Sequence, residues 1–282
     1  MIRLYASLFF LCSISCSAQT TRIVTGAEQL TELTQKLKGK RVGLVVNHTS
    51  LVGKTHLVDT LKSLGINIVK IFGPEHGFRG NAADGELVND SIDTKTGIPV
   101  VSLYGKNRKP TAKQFSDLDV IVFDIQDVGT RFYTYIGTMH YVMEACAESN
   151  KKLIILDRPN PNAFVDGPIN TKPLQSFVAM HAIPIAHGLT VGELSQMING
   201  EGWLAGKLKC DAEIIKLKNW KHSDEYVLPV KPSPNLPNQQ AVKLYPSICL
   251  FEGTVISLGR GTPTPFQILG NPELKDMDYQ FT

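Results

Sequence analysis

The stretch Leu118-Asp-Val-Ile-Val-Phe-Asp-Ile-Gln-Asp-Val-Gly-Thr-Arg-Phe-Tyr-Thr-Tyr135 decides the fold class of this 282-residue chain. Leu118 to Phe123 is a near-continuous apolar run, the pattern of a strand buried on both faces, and a polar loop then leads to a helix over Tyr135 to Ser149. The same strand signature recurs at Arg41 to Val46, Ile66 to Phe72, Ile98 to Leu103 and Lys152 to Leu156. Helical connectors are predicted at Thr55 to Leu64 and Thr111 to Phe115. An amphipathic helix is predicted at Glu28 to Lys38, where Leu30, Leu33 and Leu37 share a face that Gly39 terminates. Thr190-Val-Gly-Glu193 is a capping box opening a helix to about Asn199. Strands alternating with helices give an α/β class with a doubly wound, Rossmann-like parallel sheet. Leu228 to Pro246 is proline-rich and reads as an extended connector, and Gly253 to Leu258 as one more strand.

Composition bounds the function. Hydrophobic residues make up 43% and charged residues 20%, which excludes disorder, collagen and coiled coil. A net charge of +3 without a basic stripe excludes nucleic acid as a partner. Met1 to Thr20 carries one cation, an apolar run from Leu4 to Leu11 and small residues before Ala18 and Gln19. It reads as a signal peptide over 1–19, so the chain is expected to be exported, to the periplasm or beyond. Cys16 is a candidate lipid-attachment residue, which keeps a lipoprotein open. Cys146, Cys210 and Cys249 are too few and too dispersed for a disulfide framework or a zinc site, and read as buried thiols.

In doubly wound sheets ligands collect beyond the carboxyl ends of the strands. Asn47 and His48 follow the first strand, Glu75, His76 and Arg79 the second, and Tyr104 the third. Asp124, Asp127, Arg131 and Tyr133 follow the fourth, and Asp157, Arg158, Asn160 and Asn162 the fifth. Glu, His, Arg and Tyr are not turn formers, so their concentration there points to a site. Two nucleotide signals fail. His48-Thr-Ser-Leu-Val-Gly-Lys-Thr55 imitates a phosphate loop but lacks its first glycine, and no GxGxxG follows the first strand. No HExxH is present, so a metal held by Asp124, Asp127 and His76 stays a secondary alternative and no cofactor is expected.

Five blocks together resemble the exo-β-N-acetylmuramidases, once known as a domain of unknown function. They are Phe72-Gly-Pro-Glu-His-Gly-Phe-Arg-Gly80, Phe123 to Tyr135, Leu156-Asp-Arg-Pro-Asn-Pro-Asn162, Pro232-Ser-Pro-Asn-Leu-Pro237, and Tyr245-Pro246 with Gly259-Arg-Gly-Thr-Pro-Thr-Pro-Phe266. The resemblance implies a Rossmann-like catalytic domain over 20–244 and a smaller C-terminal α/β domain beginning at 245–282, with a cleft between them. Members normally continue well beyond this length, which implies that most of the second domain is missing here. It also implies release of N-acetylmuramic acid from the non-reducing ends of peptidoglycan fragments. Glu75 is then the general acid, kept protonated by apolar neighbours Pro74 and Phe78. Asp127 and Asp124 compete for the second catalytic role, and the substrate's own acetamido group can replace either. One of Arg79, Arg131, Arg158 and Arg260 would read the lactyl carboxylate. Asn47, His48, His76, Tyr104, Tyr133 and Asn160 would contact sugar. Two other readings stand beside this one: a non-catalytic muropeptide-binding module, and a metal-assisted hydrolase of the peptidoglycan amide.

Overall fold

The apolar runs stack side by side because each can bury both faces only between two helical layers. The computed structural model describes residues 22–79, 90–105 and 107–274. The predicted export segment with Cys16, and Gly80 of the first block, lie outside the described residues.

The strands are β1 (Val42–Val46), β2 (Leu51–Val52), β3 (Thr55–His56), β4 (Ile68–Gly73), β5 (Ser91–Ile92), β6 (Pro99–Ser102), β7 (Val120–Asp124), β8 (Lys152–Leu156), β9 (Val165–Asp166), β10 (Ala186–His187) and β11 (Ala212–Ile215). The helices are α1 (Leu30–Leu37), α2 (Leu57–Ser63), α3 (Ala112–Phe115), α4 (Tyr135–Glu148), α5 (Val191–Glu201) and α6 (Gln239–Ile248). Seven strands form one sheet in the order β11-β8-β7-β1-β4-β6-β5, parallel except for β5 against β6. Its six parallel strands reverse direction of travel between β1 and β7, the Rossmann arrangement. The imitation phosphate loop is the β2–β3 hairpin, which pairs Leu51 with His56.

Alternation along the central strands feeds two cores. Val42, Leu44 and Val46 of β1, with Val120 and Val122 of β7, pack under Leu33, Leu37, Leu57 and Leu61 of α1 and α2. Val45, Ile121 and Phe123 face the other way, toward Met139 of α4, Leu194 of α5 and Val242 of α6. Each such buried side chain contributes about 1.5–3 kcal/mol relative to exposure.

Three elements depart from the sequence reading. β11 is an edge strand with only Ile215 fully buried, so it lacks the apolar run that marked its neighbours. Gly253 to Leu258 holds the end of a 3-10 helix, Cys249–Gly253, followed by an isolated bridge from Ser257 to Gly270. The connector contains α6, capped by Asn238, whose side chain accepts from the Ala241 amide at 2.9 Å. α6 tolerates Pro246 because of a neighbour. A proline cannot donate to the carbonyl four residues back, and that carbonyl, on Val242, instead accepts from Asn162 Nδ2 at 2.8 Å.

The same Asn162 nitrogen donates to Val128 O at 2.9 Å, so one buried amide ties α6 to the loop after β7. Asn162→Ala is therefore expected to destabilise the chain by about 2–3 kcal/mol. In a Pro246→Ala background the helix supplies its own donor to Val242, and the cost of Asn162→Ala should fall measurably. Urea titrations of the four proteins check this; an unchanged cost would refute the pairing.

Candidate functional site

The turn after β4 presents Glu75. The Gly77 amide donates to Pro74 O at 2.9 Å, closing a turn in which His76 takes φ +67°, a left-handed conformation that a non-glycine residue adopts at a cost of about 1–2 kcal/mol. His76 is buried nonetheless, and Glu75 is half-buried. Thr134 is the residue preceding α4, where a threonine ordinarily accepts from the first helical amides. Its side chain makes no such cap and donates to Glu75 Oε2 at 2.8 Å. A cap position is thus used to fix a carboxylate.

Glu75 opens on a cleft of about 660 Å³, part of it open to solvent. Its floor is aromatic. Tyr133 and Tyr135 meet edge to face at 4.8 Å, Tyr133 and Tyr245 at 5.8 Å, and Tyr245 and Phe266 at 5.1 Å. The Tyr133 and Tyr135 hydroxyls both donate to Pro232 O, at 3.0 and 3.4 Å, locking the proline-rich connector over this floor. Burial pushes the Tyr133 and Tyr245 phenols well above their usual range, so they stay neutral. Arg260 and Glu252 also line the cleft, paired at 2.5 Å.

Of the residues the sequence singles out, Glu75, His76, Tyr133 and Arg260 line this cleft. His48 is not among the lining residues; its Nε2 lies 2.8 Å from Lys231 O, and burial holds the ring toward its neutral form. The others have different partners. Asp124 is wholly buried and takes Arg158 Nε at 2.6 Å and Nη2 at 2.9 Å. Asp127 accepts from the Gly129 amide at 2.6 Å and lies 3.3 Å from His187 Nε2. Asn47 holds the Thr49 amide at 2.9 Å. Arg79 pairs with Asp93 at 2.9 Å, rather than with Glu75. Arg131 donates to the carbonyls of Pro168 and Ile183 at 2.7 and 2.6 Å. Asn160 holds the Asn162 amide at 2.8 Å, and Tyr104 stands at the end of β6, outside the cleft lining. Thr134, Tyr245, Glu252 and Phe266 line the cleft without having been singled out as site residues. Three of the four fall inside the quoted blocks, and Glu252 carried no signal.

Residues 42–240 match the family model described as "Exo-beta-N-acetylmuramidase NamZ, N-terminal", and residues 243–280 match its C-terminal counterpart. The chain belongs to this family. It is 43% identical over 277 residues to the peptidoglycan beta-N-acetylmuramidase NamZ of Bacillus subtilis (strain 168), covering 94% of this chain and 66% of that protein. It thus spans about two thirds of that relative's length. Two crystal structures of DUF1343 family proteins from Bacteroides fragilis NCTC 9343 are similar. One superposes with a TM-score of 0.85 at 49% identity, over 93% of this chain and 70% of that one. The other gives 0.80 at 42%, over 88% and 65%. The five blocks that carried the resemblance all fall within the matched residues. Among the described residues no group of three His, Cys, Asp or Glu side chains is placed to hold a metal, and no helix is long and apolar enough to cross a membrane.

A buried histidine pair, His181 Nε2 and His140 Nδ1, stands 3.1 Å apart, with His187 among the charges His181 feels. Burial, with the neighbouring histidines, pushes His181 down to about 3. Folded chains then bind fewer protons than unfolded ones between pH 3 and about 6.5, so stability present at neutral pH is lost as pH falls through that window. From pH 7 to 5 this histidine should remove about 2 kcal/mol. His181→Gln should shrink the loss by about that amount in denaturant titrations at the two pH values; an equal loss in both proteins would refute the assignment.

Proposed function

We propose that this chain is an exo-acting glycoside hydrolase that releases N-acetylmuramic acid from the non-reducing end of peptidoglycan fragments, with Glu75 as general acid. The observation that carries the reading is the Thr134–Glu75 bond at the mouth of an aromatic-floored cleft in a chain of this family. Thr134 holds one carboxyl oxygen; the other carries the proton to the departing glycosidic oxygen as the bond to the anomeric carbon breaks. Asp124 and Asp127 have buried partners of their own, which supports the route in which the substrate's acetamido oxygen stabilises the anomeric centre before water replaces it. Water then adds at that carbon and its proton returns to Glu75.

Arg260 is the one of the four arginines on the cleft wall. Its guanidinium lies 5.4 Å over the Phe266 ring and is steadied by Glu252, a placement suited to two parallel bonds with a lactyl carboxylate. The tyrosine floor would take the apolar face of the sugar ring. The leading segment 1–19 supports export, where peptidoglycan fragments are met, and Cys16 would tether the chain if lipidated.

Glu75→Gln should lower kcat on a natural disaccharide headed by N-acetylmuramic acid by about a hundredfold or more, with the melting temperature little changed. The loss should be smaller on a nitrophenyl muramide, whose leaving group needs little protonation. Equal losses on the two would remove the acid role, and normal turnover would remove Glu75 altogether. Arg260→Ala should cost about tenfold or more in kcat/KM on the muramide. It should leave a nitrophenyl N-acetylglucosaminide, which lacks the lactyl group, nearly unaffected. A uniform loss on both would sink the carboxylate assignment.

A further inference from the structure

A second groove, of about 710 Å³, lies farther along α4 and takes no part in the site above. His140 and Tyr141 of α4, Gln175, Phe177 and Met180 of the loop between β9 and β10, and Trp203 line it. The two cavities share a wall. Residues 175–180, between β9 and β10, cross α4 at Gly137, where a side chain would meet the Phe177 carbonyl oxygen at 3.1 Å and the Phe177 ring at 3.0 Å. On this strap Val178 faces the main cleft, while Phe177 and Met180 face the groove. Tyr135 borders the first cavity and Tyr141 the second, six residues and about 9 Å apart along the helix.

The chemistry of the groove differs from that of a packed core. Tyr141 and Phe177 lie parallel within 5° at 5.9 Å, Arg108 covers one Phe177 face at 4.2 Å, and all three aromatic residues keep part of their surface open to solvent. Trp203 is held from beneath by His181 at 5.5 Å, itself bonded to His140. Flat rings fixed at the rim of a groove, with an amide and an imidazole between them, match the alternating C–H faces and hydroxyls of pyranose rings. The charged side chain recorded against these rings is Arg108, which is stacked on Phe177. The spacing from the main cleft is the reach of a short oligosaccharide crossing the strap.

We infer that this groove binds the leaving-group side of the glycan, the amino sugars that follow the terminal residue held beside Glu75. The inference rests on the glycosidase reading of the main cleft and extends it to a preference for chains over disaccharides. Sugar beyond the scissile bond stacks on Tyr141 and Trp203, and Gln175 bonds its hydroxyls.

The test compares the wild-type chain with Tyr141→Ala, Trp203→Ala and the exposed-site variant Gln175→Ala, on a nitrophenyl muramide and on a peptide-free tetrasaccharide headed by N-acetylmuramic acid. The ring variants should raise KM for the tetrasaccharide by about threefold to tenfold. Gln175→Ala should raise it less, and all three should leave the muramide constants unchanged. Equal effects on both substrates, or none on the tetrasaccharide, would overturn the groove assignment. If the wild-type chain cleaves neither substrate, the glycosidase reading fails on its own. Calorimetric binding of the same tetrasaccharide then decides the groove: weaker binding by Tyr141→Ala and Gln175→Ala upholds it, while unaltered or absent binding refutes it. Binding that requires stem peptides on the glycan would also refute it.

Discussion

A buried ion pair ties together the two central strands from whose ends the loops after β7 and β8 depart. Asp124 and Arg158 close the carboxyl ends of β7 and β8 with two bonds of 2.6 and 2.9 Å, and neither side chain reaches solvent appreciably. The surrounding polar groups are drawn into the same lattice. Arg158 also donates to Leu51 O at 3.2 Å, the Ser50 hydroxyl donates to the Asp124 carbonyl, and the Gln126 amide donates to Thr49 Oγ1 at 3.0 Å. In a doubly wound sheet the strand order reverses beside these residues, and there a crevice would ordinarily receive a ligand. Here protein groups occupy it. Such a pair gains little net stability over a well-packed apolar plug, because stripping water from both charges offsets most of their attraction. What it does is fill the crevice, and the cleft forms farther along the sheet, between the loop after β4 and the N-terminus of α4.

That displacement explains the strained turn. A carboxylate leaving β4 must bend back toward α4 to meet Thr134, and the bend passes through positive φ at His76 and at Gly77, φ +72°. Glycine at position 76 would relieve the backbone, yet the His76 side chain is buried against the cleft it helps to line. A residue that adopts an unfavourable conformation while burying a polar ring is kept for what the ring does. Thr134 makes the matching concession: α4 begins without a side-chain cap so that the hydroxyl can hold Glu75.

The sheet was legible because burial on both faces writes itself as uninterrupted Val, Ile and Leu, and β8 spans the same residues in sequence and structure. β11 escaped because one edge faces solvent, where Glu213 pairs with Lys36 at 2.5 Å and Lys152 at 2.6 Å. α6 escaped because Pro246 inside it and the prolines before it forbid a helix by local rules, and the donor that lifts the prohibition, Asn162, lies 80 residues from Val242 along the chain. The strand-end rule found polar residues without ranking them. Periodicity cannot tell a carboxylate that faces a cleft, Glu75, from one whose charge is absorbed by an arginine on the next strand, Asp124. That distinction lies in which groups satisfy each other, a property of pairs distant in sequence. Glu252 was invisible for the same reason: only the fold brings it to the cleft that Glu75 lines.

The cleft floor crosses the seam between the two family-model matches, which meet between residues 240 and 243. Phe132 and Tyr133 come from the N-terminal side, while Tyr245 and Phe266 come from the C-terminal side. They interlock edge to face at 5.6, 5.8 and 5.1 Å, within one apolar cluster that also holds Leu258. The packing of residues 245–266 against the sheet layer is therefore not an attachment beside the site but the completion of its floor. Asn162 reinforces the seam by bonding Val128 on one side and Val242, which lies between the two matches. A cavity at this place needs both sequences, because Glu75 is delivered by the turn after β4 while Tyr245, Arg260 and Phe266 arrive only with α6 and the residues after it.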